Sequence, residues 1–352
     1  MKAQVNAGML ILFLFFVIAC KKKDTQPPTP TAKDIYIAGY EVNAAGKTLA
    51  KYWKNGTAIT LSDGVTDAEL NSIYVIGNDV YAAGGQQAVG TINYRAKYWK
   101  NGVAVNLTDG TRYAEASSIV VIDSDVYVGG YEKNAANIDV AKYWKNGAAI
   151  TLSDGTTTAY VSSICVIGND VYAAGRELFA STNKYRAKYW KNGVAVNLTD
   201  AVNDAEIISI VVVGSDVYAA GYERNVANKL VAKYWRNGNP VILTDGTKDA
   251  ALLSIVISEN YVYTTGFEEN ASNKLVAKYW KNGTAVNLTD GSSPLALARS
   301  IAVVGNDVFT TGYETNAVSS NTIAKYWKNG IATNLTDGSF NAAGNFIFVT
   351  TN

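Results

Sequence analysis

The phrase Ala-Lys-Tyr-Trp-Lys-Asn-Gly recurs seven times, with Arg236 replacing the second Lys in one copy. Its tryptophans, Trp53, Trp99, Trp144, Trp190, Trp235, Trp280 and Trp327, are all the tryptophans of the chain and stand 45 to 47 residues apart. A unit of that size is too small to fold alone, so the copies must bury their apolar faces against one another. Four antiparallel strands occupy roughly 40 to 50 residues, the length of one propeller blade. The spacing therefore predicts an all-β, seven-bladed β-propeller with four-stranded antiparallel blades.

One repeat, Asn71 to Asp109, shows the strands. Ser72 to Ile76 is rich in β-branched residues and precedes Gly77-Asn78, a tight hairpin turn, so it reads as strand A. Asp79 to Gly84 is strand B, followed by a longer loop up to Ala96. Ala96 to Trp99 is strand C, Asn101-Gly102 a second tight turn whose two central positions need positive φ, and Val103 to Leu107 strand D. Alternation puts Tyr98 and Trp99 on opposite faces of strand C, where each can meet a neighbouring blade. The neighbouring Lys stems are expected to lie along this surface with their ammonium groups in water. The small residues Ala82, Ala83 and Gly84 suit a crowded position near the axis.

This strand order resembles that of kelch and galactose-oxidase-type propellers. The Trp-x-Asn-Gly spacing before a Leu-containing strand is similar to bacterial extracellular repeats of the HAF type. Both resemblances cover the whole repeat region and imply fold more than function.

The chain ends suggest how the ring closes. Val349-Thr350-Thr351-Asn352 joined to Asp34-Ile35-Tyr36-Ile37-Ala38-Gly39 restores the internal phrase Val-Ile-Gly-Asn-Asp-Val-Tyr-Ala-Ala-Gly. The C-terminal strand A, Phe346 to Thr351, is thus expected to join strands B, C and D from Asp34 to Leu61.

Before the repeats, Lys2 precedes an apolar run from Gly8 to Ala19, too short to span a bilayer, which ends in Val17-Ile18-Ala19-Cys20. The segment resembles a bacterial lipoprotein signal. That resemblance implies a signal peptide over 1–19, lipidation at Cys20 and anchoring to an outer membrane on an undefined side, while the Pro/Thr-rich composition predicts a flexible tether over 20–33 and the repeats a propeller over 34–352. The only other cysteine, Cys165, lies in an apolar strand and reads as packing. With 31 basic and 30 acidic residues, and most of the excess lysine lying before the repeats, the propeller carries no basic footprint for nucleic acid.

Histidine is absent, which excludes Ser-His-Asp, Cys-His and His-metal sites within this sequence. The recurrent aspartates (Asp63, Asp109, Asp154, Asp200, Asp245, Asp290, Asp337) read as Asx turns closing strand D, because no copy has the spacing of a calcium loop. The recurrent glutamates after strand B (Glu41, Glu132, Glu177, Glu223, Glu268, Glu314) are expected to serve the blade. No metal, cofactor or catalytic residue is expected.

Function in a pseudo-symmetric ring is sought where the symmetry breaks. Five residues after the Gly (or Ala201) that closes strand D, successive blades carry Glu69, Glu115, Tyr160 and Glu206, then Ala251, Ala296 and Ala343. This acidic-aromatic arc is placed in the crossing loops near the central opening. The long B to C loops add Tyr94, Arg95, Arg176, Phe179, Tyr185 and Arg186, with exposed Tyr and Arg as interface anchors. Together these residues make the long-loop face the expected site for a glycan, peptide or protein ligand. The reading that follows is a non-catalytic extracytoplasmic binding or scaffolding propeller held to a membrane by lipid. Its alternatives are a carboxylate-dependent enzyme acting on extracellular glycans, with Glu69, Glu115 and Glu206 as candidate acids, or a purely structural spacer.

Overall fold

The computed structural model describes residues 31–351. The segment 1–19, Cys20 and most of the expected tether lie outside the described residues. The described chain forms strands β1 to β28, grouped into seven four-stranded sheets. In the second blade, β4 (Ala68–Ile76), β5 (Asp79–Gln87), β6 (Tyr94–Lys100) and β7 (Val103–Asn106) pair in that order, all antiparallel. The closing blade is built from both chain ends: β28 (Ala342–Thr351) pairs with β1 (Ala32–Val42), then β2 (Thr48–Lys54) and β3 (Thr57–Thr60). Ile37 lies opposite Ile347, so closure follows the predicted junction. β1 begins at Ala32, within the stretch expected as tether.

The repeated phrase can be accounted for residue by residue. Its tryptophans are 1–2% exposed. Trp99 packs against Tyr36, Ala38 and Ala50 of the closing blade as well as Leu70, Ile73 and Val75 of its own, so it welds two blades together. Burial on this scale contributes about 2–3 kcal/mol per tryptophan. The first Lys is not in water as expected. Lys142 pairs with Glu132 at 2.6 Å and Lys233 with Glu223 at 2.6 Å, and the same pairing recurs in Lys51–Glu41, Lys188–Glu177, Lys278–Glu268 and Lys325–Glu314. Because strand C is covered by the next blade, an unpaired ammonium there would be desolvated without compensation. The repeated glutamates supply the counter-charge and thus do serve the blade.

The end of the phrase builds a turn. Asn101 and Gly102 have φ of 50° and 82°, the left-handed pair that a type I′ hairpin needs. Asn101 Oδ1 accepts from Val80 N at 2.9 Å while its Nδ2 donates to Asp79 at 2.7 Å, tying the outer hairpin to the start of strand B. On the opposite face, Asp109 accepts from Thr111 N at 2.8 Å, and Asp154 and Asp245 make the same turn, which is the Asx geometry expected. Cys165 packs half-buried beside Tyr172 and Ile210, and burial pushes its thiol up.

Strand A, not strand B, is innermost. Each strand A carries a β-bulge: in β4 the register slips between Leu70 and Ser72, leaving Asn71 unpaired. The bulge drives a carbonyl toward strand B, and a Cβ on Gly84 would lie 1.9 Å from Glu69 O. This close approach, not crowding at the axis, is why strand B has Gly there. The bulge also frees backbone donors for the next blade. Ile119 N donates to Ser72 Oγ at 3.2 Å and Ile164 N to Ser118 Oγ at 3.3 Å, stitching neighbouring blades near the axis.

Candidate functional site around the axial cavity

The bulge residues face the axis. A half-open cavity of about 270 Å³ lies there, with Arg299, Asn345, Asn71, Ser117 and Ser162 on one side and Ile208 and Leu253 on the other. Phe267, Leu297 and Phe346 also line it. The bulge residues occupy the first half of each strand A, so the cavity lies toward the crossing loops and away from the tight turns. Polar contacts run from blade to blade around the polar side. Arg299 Nη1 donates to Asn345 Oδ1 at 2.9 Å, Asn345 Nδ2 to Leu70 O at 2.8 Å, and Asn71 Nδ2 to Ala116 O at 3.1 Å.

Two positions before each bulge residue stand Glu69, Glu115, Tyr160 and Glu206. They lie within the innermost strands β4, β8 (Ala114–Ile122), β12 (Ala159–Ile167) and β16 (Ala205–Val213), not in the crossing loops where they were expected. The strands begin about four residues early because the bulge adds a residue and lets pairing continue beyond it. The series continues with Ala251, Leu297 and Ala343. Leu297, not Ala296, holds the seventh position, since it lies opposite Tyr313 and its carbonyl meets Gly312. The crossing into that blade is one residue longer than its counterparts, which fixed-offset counting missed.

The arc is joined by tyrosines. Ring centroids are 5.5 Å apart for Tyr94 and Tyr113, 6.1 Å for Tyr113 and Tyr131, 4.8 Å for Tyr131 and Tyr160, and 6.4 Å for Tyr160 and Tyr185. Glu115 accepts from Tyr131 at 2.9 Å and from Asn71 at 2.9 Å. Glu206 accepts from Arg176 at 2.8 Å, Tyr222 at 3.1 Å and Ser162 at 3.2 Å. Arg176 also lies over Tyr160 and Tyr185, with its guanidinium carbon 5.0 and 4.4 Å from the ring centres. Tyr160 donates to Asp139 at 2.9 Å. Burial, then the neighbouring Asp67, Glu69 and Glu115, pushes the Tyr94 phenol up to about 12. Burial and Glu115 likewise raise Tyr113 and Tyr131, so these groups donate hydrogen bonds at any ordinary pH.

Glu69 is different because of what faces it. Tyr131 and Tyr222 stand opposite Glu115 and Glu206 in the pairing, whereas Gly85 stands opposite Glu69. With no phenol to donate, the Glu69 carboxyl is pushed up to about 7, by burial first and by the Glu115 charge second, against the pull of Arg299.

Arg95 and Arg186 do not join the arc. Arg95 Nε donates to Asp109 O at 2.8 Å, and Arg186 lies 4.0 Å over the Phe179 ring and reaches Asp200 O at 3.4 Å, so both brace the crossing loops. Strands B and C also run further than expected, leaving only 88–93 and 134–138 as loops in the second and third blades. Sequence reasoning missed Tyr113, Tyr131, Tyr222, Asn71, Asn345 and Arg299. The bulge position that gathers three of them is invisible without the register. The recurrent aromatic after the strand B glycine (Tyr40, Tyr131, Tyr222, Phe267, Tyr313) was a signal that could have been used.

No protein-family model matches the sequence, and no curated protein matches it. Solved structures do. A puromycin-hydrolyzing peptidase of Mycobacterium tuberculosis superposes with a TM-score of 0.57 at 10% identity, over 87% of this chain and 52% of that one. An acylaminoacyl peptidase of Pyrococcus horikoshii gives 0.53 at 11% identity, over 88% and 52%. The propeller domain of the Trilobed protease of Pyrococcus furiosus, described as having an open velcro topology, gives 0.54 at 10% identity, over 88% and 95%. These likenesses establish the propeller fold. The chain thus spans about half the length of the two peptidases. It differs from the Trilobed domain's described topology in that β28 pairs with β1 and closes the ring. The expectation of a non-catalytic binding or scaffolding propeller, with a glycan-active enzyme or a spacer as alternatives, is corrected here: the solved structures named above, on which this fold superposes, are those of peptidases and of a protease's propeller domain.

Proposed function

We propose that this propeller works in peptide hydrolysis, as the part of a peptidase system that selects peptides on their way to a catalytic unit. The observation that carries the reading is the superposition of 87–88% of the chain on propeller-bearing peptidases nearly twice its matched length. The axial cavity supports it, being too narrow for a folded protein and lined by both polar and apolar groups, as an extended peptide requires. The tyrosine arc with Glu69, Glu115, Tyr160 and Glu206 forms the entrance on the crossing-loop face. Since the sequence holds no histidine, a Ser-His-Asp centre would lie outside it. Calorimetric titration with short unstructured peptides tests the reading. Saturable binding of peptides, and none of oligosaccharides of equal length, is expected. Absence of peptide binding at millimolar concentration overturns it.

Two further elements of this proposal rest on sequence. Export and anchoring are supported by the leader ending at Cys20, and palmitate labelling that is equal in the parent and Cys20→Ser would refute the anchor. Kinship with HAF-type repeats is supported by the Trp-x-Asn-Gly spacing, and kinship with kelch propellers by the strand order.

A further inference from the structure

Arg299 is the one charged residue among those lining the axial cavity. Its guanidinium is fixed from two sides, by the bond to Asn345 Oδ1 at 2.9 Å and by the Tyr313 ring 5.1 Å from its central carbon. Those contacts use one of its five N–H donors, and the side chain lines the cavity. Arg176 and Arg236, by contrast, are each neutralised by a carboxylate, Glu206 and Asp216. No carboxylate lies within ion-pair distance of Arg299 among the described residues, and an oriented guanidinium in a half-enclosed site is a ready partner for one.

The surroundings complete a donor and acceptor set. Among the described residues the Ser117 hydroxyl, on the same polar side, has no hydrogen-bond partner, and Asn71 uses its Nδ2 on Glu115 and Ala116 while its Oδ1 accepts from none of them. Across the cavity, Ile208, Leu253 and Phe267 form an apolar wall. A ligand that satisfies both sides carries an anionic head and an apolar group on the adjoining atom. A volume of about 270 Å³ takes one or two amino-acid residues.

We infer that the axial cavity binds the carboxyl terminus of a peptide ending in an apolar residue, with the carboxylate on Arg299 and Ser117 and the side chain against Ile208, Leu253 and Phe267. This deepens the peptide-selection reading and rests on it. Asn71 Oδ1 is placed to accept the terminal amide N–H. Selection would then act on the end of a chain, so that internal sequence matters little and terminal chemistry decides entry.

The test is calorimetry on the full chain with Ala-Ala-Phe, its carboxamide, and Ala-Ala-Asp. The free acid should bind at least tenfold more tightly than either of the others. Arg299→Gln should lose that preference and bind acid and amide alike. Leu253→Trp, which fills the apolar wall, should weaken all three. Near-parental melting temperatures show that either variant is folded, and two substitutions at different positions keep the test decisive if one fails to fold. Equal binding of acid and amide to the parent, or parental affinity for the acid in Arg299→Gln, overturns the inference. If longer peptides bind the parent equally well whether their C-termini are free or amidated, the terminal-carboxylate inference falls and peptide selection stands. If no peptide binds, both fall.

Discussion

Gly84 packs under the carbonyl oxygen of Glu69 so closely that a Cβ would lie 1.9 Å from it, and six further glycines stand in the same relation to the strand A of their own blade. The glycine that ends the recognisable part of strand B is therefore the imprint of a bulge in a neighbouring strand. That same bulge turns one residue per blade toward the axis and so creates the cavity.

Gly84→Ala should cost about 3 kcal/mol or more in urea unfolding, since backbone faces backbone and neither can yield cheaply. Gly102→Ala, where φ is 82° and nothing lies within 4 Å, should cost only about 1 kcal/mol. Equal costs at the two positions would remove the bulge explanation.

Trp99→Ala should lose about 3 to 5 kcal/mol, because the indole is shared between two blades and the cavity left behind cannot collapse from both sides. A loss under 1 kcal/mol would mean that the blades do not depend on this contact.

Deleting 345–352 removes most of β28 and exposes β1 as an unpaired inner edge. Size-exclusion chromatography should show oligomers or aggregate. A monomeric deletion protein that melts at the parental temperature would show that the ring does not need this closure.

Glu69 should make stability fall with rising pH. Its folded value of about 7 exceeds the ordinary 4.5, so the folded state holds the proton more tightly. The resulting stabilisation is complete below about 4.5 and is lost as pH rises through about 7. Glu69→Gln should therefore melt like the parent at pH 4 and several degrees above it at pH 8. Parallel melting curves for the two proteins across that range would contradict the burial of this carboxyl.

The repeats in the sequence were enough to establish the number of blades, the four-strand pattern, the tight turn at Asn101-Gly102 and the closure of the two chain ends. Each of these depends on local chemistry that recurs at a fixed period, so the signal is reinforced seven times. The pairing of Lys233 with Glu223 was half-legible: the glutamates were assigned to the blade, but their partner lies across a strand boundary, and only the register names it.

The arc of Glu69, Glu115, Tyr160 and Glu206 was legible as an asymmetry, because it breaks a repeat. Which of these carboxyls stays unpaired was not legible. Glu69 and Glu115 look alike in sequence, and they differ because Gly85 faces one and Tyr131 the other across a bulged pairing. Arg299 and Asn345 lie 46 residues apart and meet only because the ring places their blades side by side. Periodic local propensity set the architecture of this protein. The contents of its axis depend on register and ring closure, which bring distant residues within hydrogen-bonding distance and leave no trace in the spacing of the sequence.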